Sequence, residues 1–151
     1  GVDNIIDYNS NFEFVRHVLS MDTTFPGNAL MDRAITDPDL HHLAYAIIIA
    51  SQLITGILCI GGAIWMVRHT SATSVRFQRA KSVAVAGLSF GFTLWFLGFL
   101  TIGGEWFQMW QSEKWNGQQA AFRFIACIGL VLIILLLPDD DRPDAKPEKD
   151  L

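Results

Sequence analysis

Three apolar blocks dominate this chain, and each is long enough to be a helix with no polar side. The blocks cover residues 43–67, 82–104 and 119–137. The first has only Ser51, Gln52 and Thr55 as polar side chains in its interior, and the second has no charge at all. A helix of about 25 residues is roughly 37 Å long at about 1.5 Å per residue. A bilayer's hydrocarbon core is about 30 Å thick. A surface helix of a water-soluble domain would show a polar stripe at helical period, and none of the blocks does. A chain of 151 residues cannot bury three such helices on every side in water. The expected fold is therefore all-α, a polytopic transmembrane helical bundle with three spans in this chain.

Composition agrees with that reading mainly through its uneven distribution. Charged residues make up 17%, below the roughly 25% of soluble domains. Residues 1–42 carry seven acids and two bases, and residues 68–81 carry four bases and no acid. The basic cluster is short and lies between two apolar blocks, so it is no nucleic-acid footprint. Cys59 and Cys127 each sit inside a block and read as small apolar packing residues.

The start and stop signals fit the blocks. Asp37, Pro38 and Asp39 combine a cap, a residue suited to the first helical position and an acid at the positive dipole end. In the second block, Gly87 and Gly91 form a GxxxG spacing that allows close helix approach. The third block contains Arg123, which can snorkel, and ends at Pro138. Arg68, Arg76, Arg79 and Lys81 place the loop 68–81 in the cytoplasm. The loop 105–118, with Lys114 as its only base, then lies outside, as do residues 1–42. Trp106, Trp110 and Trp115 suit the outer interface, and Trp65 the inner one.

Residues 1–42 are rich in apolar side chains. Phe12, Val15, Val18 and Leu19 recur at helical spacing, which predicts a short interfacial helix over about 10–20. Residues 23–28 form a turn, and 28–36 are expected to form a second short helix. The tail 138–151 is rich in proline and charge, and is expected to be a disordered cytoplasmic segment. There is no basic region followed by a short apolar run near Gly1. An outside N-terminal segment then calls for an upstream signal peptide or a further spanning helix ahead of Gly1, and the helix is the favoured expectation.

One stretch has a recognisable pattern. Asp7, Tyr8, Asn9, Ser10, Asn11 and Phe12 are followed by an unbroken run from Phe14 to Asn28 that includes Met21, Thr23, Thr24, Phe25 and Pro26. His41, His42 and Tyr45 then open the first span. This pattern resembles the bacterial "predicted small integral membrane protein" family, domain of unknown function 2165, over essentially the whole chain. The resemblance implies a four-helix membrane protein whose first helix is expected ahead of the Asp-Tyr-Asn-Ser-Asn segment, before Gly1. Asp32 departs from the family pattern, in which an aromatic is expected there. The resemblance implies no activity, substrate or catalytic residue.

Side chains that could carry chemistry are few. His41 and His42 are adjacent and diverge by about 100° on a regular helix, so they do not share one ion. His17 is the only further histidine on that side. A transmembrane haem needs histidines at membrane depth on two spans, and none are present. No cofactor is expected, with haem held by His41, His42 or His17 the residual alternative, and no metal site is expected. The acids Asp22, Asp32, Asp37 and Asp39 lack the spacing of a calcium loop. Glu105 is expected to pair with Arg123. Gln52 lies near mid-membrane and is expected to bond between helices. Nucleophile motifs, phosphate-cradling loops and CxxC pairs are absent, so no catalytic residue is expected.

Three functional readings remain. The first is a non-catalytic accessory or structural subunit of a larger bacterial inner-membrane complex, respiratory or photosynthetic, in contact with lipid and with other membrane subunits. The second is a stand-alone transporter of small molecules or ions, although its mid-membrane polar groups include no ionisable residue. The third is a haem- or metal-binding membrane protein.

Overall fold

The computed structural model describes residues 1–140. Its elements are helices α1 (Val2–Ile6), α2 (Tyr8–Ser20), α3 (Pro38–Arg68), α4 (Ser74–Thr93) and α5 (Gln118–Leu136). Helix α4 continues directly into a π-helical segment, Leu94–Trp106. Single 3-10 turns occur at Met31–Arg33 and Met109–Gln111. No strand occurs among the described residues. Most of the expected disordered tail lies outside them.

Three helices are long and apolar enough to cross a membrane: Pro38–Arg68, Ser74–Trp106 and Gln118–Leu136. They bury little of themselves within the chain, only 6%, 17% and 11% of their most apolar windows. Lipid or other membrane helices can cover the rest, because hydrocarbon does not penalise an exposed leucine as water does.

Helix α3 begins as its cap signal predicts. The Asp37 carboxylate accepts from Asp39 N at 2.9 Å, and Pro38 takes the first turn. The helix closes where His69 Nδ1 meets Trp65 O at 2.9 Å and Thr70 Oγ1 donates to Val67 O. Helix α4 starts at Ser74, well ahead of the apolar block at residue 82. Its first turns carry Arg76, Arg79 and Lys81, which are compatible with helix. Hydropathy marks where lipid begins, not where the helix does.

The π segment is visible in its five-residue hydrogen bonds. On the backbone, Phe107 N donates to Ile102 O at 3.0 Å, and the Thr101 side-chain hydroxyl also reaches five residues back to Phe96 O at 3.1 Å. π-Helical turns are uncommon and concentrate where a helix must be reshaped.

The buried core lies at one end of the bundle, where residues 1–42 meet the connection between the second and third spans. Val18, Met21, Phe107 and Met109 form it, with Phe14, Leu19, Leu30, Ala34 and Ile35 packed around them. Thr23 Oγ1 donates to Ser112 Oγ at 2.9 Å, and Phe25 N donates to Gln111 Oε1 at 2.9 Å. We call this the segment end and the opposite one, around residues 68–81, the loop end.

The expected helix over 28–36 reduces to the turn Met31–Arg33. Its backbone groups are taken elsewhere. Leu30 N bonds Asn28 Oδ1, Ile35 N bonds Leu19 O, and the Ile35 carbonyl accepts from His41 Nε2. Tertiary partners outcompete the helical ladder here.

Candidate functional site

Helices α3 and α4 pack as an antiparallel seam of small residues. A Cβ added to Gly62 would stand 2.4 Å from Ala84 N. One on Gly87 would meet Leu58 Cβ at 2.7 Å, and one on Gly91 would meet Thr55 Cγ2 at 2.7 Å. Continued toward the segment end, the same register would set Ile48 opposite Gly98 and Ala44 opposite Ile102. There the seam opens. α3 is tightly packed on Ser74–Thr93 but hardly touches the π segment. Those four residues line a cavity of about 230 Å³ instead, roofed by Phe14, Val15 and Val18 of α2.

A second cavity of about 220 Å³ adjoins it, sharing Phe14, Val15, Ile48 and Phe99. This one has polar walls, including Asn4, Asn11 and Gln52. Asn4 Nδ2 donates to Gln52 Oε1 at 2.7 Å, and Tyr45 Oη donates to Asn4 O at 3.2 Å. The first residue lies against Leu53, about halfway along α3. Gln52 therefore bonds between helices, and its partner is on α1.

An aromatic cluster locks α2 onto α3 above these cavities. The His42 ring stacks on Phe12 at 4.2 Å, and its Nδ1 is 2.8 Å from Tyr8 Oη. Tyr45, almost wholly buried, meets Tyr8 edge-on at 4.7 Å. The buried His41 ring turns away to Ile35 O at 2.7 Å. The two adjacent histidines thus serve different neighbours, as their angular separation requires.

His17 belongs to a third group. Its Nδ1 lies 2.8 Å from Asp22 Oδ1, Arg16 Nη2 donates to its Nε2 at 2.7 Å, and its ring stacks on Trp115 at 4.6 Å. That arrangement fits the neutral ring with its proton on Nδ1. Among the described residues, no group of three His, Cys, Asp or Glu is placed to hold a metal ion.

Arg16 also donates twice to Glu13 Oε2, at 2.7 and 3.0 Å. This hydrogen bond, aided by the Arg16 charge and opposed by desolvation, holds Glu13 below the ordinary glutamate range. A carboxyl whose folded value is lowered adds stability above its unfolded value and loses it as pH falls through the folded one. Acid titration of the purified protein should therefore show a stability loss below the ordinary glutamate range. Glu13→Gln should flatten that limb, and an unchanged limb would contradict the Arg16 contact.

The expected pair of Glu105 and Arg123 does not form: no ion pair joins them among the described residues. Helix α5 starts at Gln118, and the Gln118 amide takes the place against Gly104 at the end of the second span. Arg123 lies further down the helix beside Phe122 and Leu100. Trp106 stacks under the Arg33 guanidinium at 4.5 Å, and Trp110 meets Phe25 edge-on at 5.7 Å. Sequence reasoning gave no packing role to Asn4, Tyr45 or Ser112, and used Lys81 only for orientation. Only Tyr45 carried a signal, as an aromatic three residues from His42 on the same helix face.

The fold and its apolar helices define a polytopic α-helical integral membrane protein. The profile of the family described as predicted small integral membrane protein (DUF2165) matches residues 1–138. The chain belongs to that family. No curated protein and no solved structure matches it.

Proposed function

We propose that this chain is a non-catalytic accessory or structural subunit of a larger assembly in the bacterial inner membrane, with respiratory or photosynthetic complexes as natural hosts. Residues 1–42 then belong to the periplasmic side, with Gly1 and Asn4 reaching down α3 to Leu53 and Gln52, and the C-terminus faces the cytoplasm, following the positive charge of the loop 68–81. The observation that carries the reading is the outer face of α3. Gly56 and Gly61 have no neighbouring group within 4 Å, while Ile54, Ile57, Ile60, Ile64 and Trp65 are exposed. Glycine notches beside an isoleucine ridge suit a close-packed partner helix. Lipid alone gives no reason to place glycine there.

A photo-cross-linking side chain at Ile57, activated in native membranes, tests this. The expected result is one discrete adduct with a distinct membrane protein, and comigration with it after gentle detergent extraction. Cross-links to lipid alone, with migration as a single small chain, would overturn the proposal.

A further inference from the structure

We propose that the seam cavity holds one acyl chain of a phospholipid whose phosphate rests against Arg33. The cavity, about 230 Å³, exceeds the roughly 150 Å³ known to admit a benzene-sized guest. Every lining side chain is apolar, so water would find too few hydrogen-bond partners there. It lies on the continuation of a packed seam between two spans. Ile47 and Ile102, which flank it, are exposed, so its mouth faces lipid.

The rim supplies the charge. One helical turn beyond Ile102, Arg33 Nη1 donates to Trp106 O at 3.3 Å, and the guanidinium covers the Trp106 ring. Among the described residues, no carboxylate lies within ion-pair distance of Arg33. Its remaining N–H donors form a fork that matches a phosphodiester. An apolar slot with a cation at its rim selects an intact anionic phospholipid over free hydrocarbon or free phosphate. On α3, Ile47 at the mouth shares the exposed stripe of Ile54 and Gly61, so the site is tested on the chain without a partner.

The test uses the full chain in phosphatidylcholine vesicles doped with phosphatidylglycerol bearing a diazirine in one acyl chain. Irradiation should label Val18, Leu94 and Phe107, which line this cavity and not the adjoining one, as well as the lipid-facing Ile57 and Ile133. Gly98→Leu fills the cavity from the π segment, where an added Cβ meets only Leu94 Cδ1 at 3.7 Å. Displacing about two methylenes of the guest should lower cavity labelling about tenfold, with Ile57 and Ile133 unchanged. Ala44→Phe, from the facing wall, should do the same, and circular dichroism would identify a variant that fails to fold. Arg33→Gln should remove the preference for phosphatidylglycerol over a phosphatidylcholine probe. Unlabelled cavity residues in the wild type, or undiminished labelling in both filling variants, would overturn the chain site. Undiminished cavity labelling by the phosphatidylglycerol probe in Arg33→Gln would overturn the phosphate contact.

Discussion

Gly62→Leu should separate α3 from α4 and cost upward of about 3 kcal/mol, at the top of the range for overpacking. The reason is what lies opposite. The three nearest atoms to an added Cβ are Ala84 N at 2.4 Å, Ala84 Cα at 2.6 Å and Ala84 Cβ at 2.7 Å. Two of them are backbone, which no rotamer change can move. Ala84→Gly should therefore rescue only part of the loss. The adjacent Gly61 is the matched control, because nothing stands within 4 Å of its added Cβ. Gly61→Leu should stay within about 0.5 kcal/mol in the purified chain, as for other open surface positions. Thermal unfolding in mild detergent compares the two. Equal melting of the adjacent variants would mean that the crossing is not where we place it.

Lys81→Met should be the most damaging change at the loop end, at about 2–3 kcal/mol. Lys81 is only 5% exposed. Its ammonium pairs with Asp139, donates to Leu137 O at 3.1 Å and lies over the Phe77 ring. It thus ties the end of α5 to α4 and satisfies a carbonyl that the helix leaves open. Breaking a fully buried pair costs about 3–5 kcal/mol. The figure is lower here because the Asp139 side chain is 32% exposed and water screens it. Lys81→Met combined with Asp139→Asn should recover part of the loss by removing the stranded charge. Raising salt should leave the wild-type bond largely intact, as Lys81 is shielded. Melting curves indistinguishable from wild type would rule out this role.

Much of the architecture was legible because it depends on local composition. The three spans, the Asp37 cap and the approximate position of α2 follow from periodicity and charge within a short window. Other expectations failed where distant groups competed. Residues 28–36 have helical character, yet Leu19 and His41 claim the backbone groups of Ile35. Glu105 and Arg123 have opposite charges, yet at the start of α5 it is Gln118 that meets the end of the second span, at Gly104. For the candidate site, Gln52 and the glycine pair Gly87 and Gly91 were visible as residues. Their partners Asn4, Thr55 and Leu58 were not, because pairing needs a register between helices.

Membrane insertion was decided by the sequence alone, since transfer into hydrocarbon is close to a sum over the side chains of one helix. That sum does not depend on which neighbour each helix meets. The opening of the α3–α4 seam, the cavity under α2 and the setting of Lys81 were decided only by tertiary structure. Each arises from steric fit between segments far apart in the chain, and fit is a property of pairs.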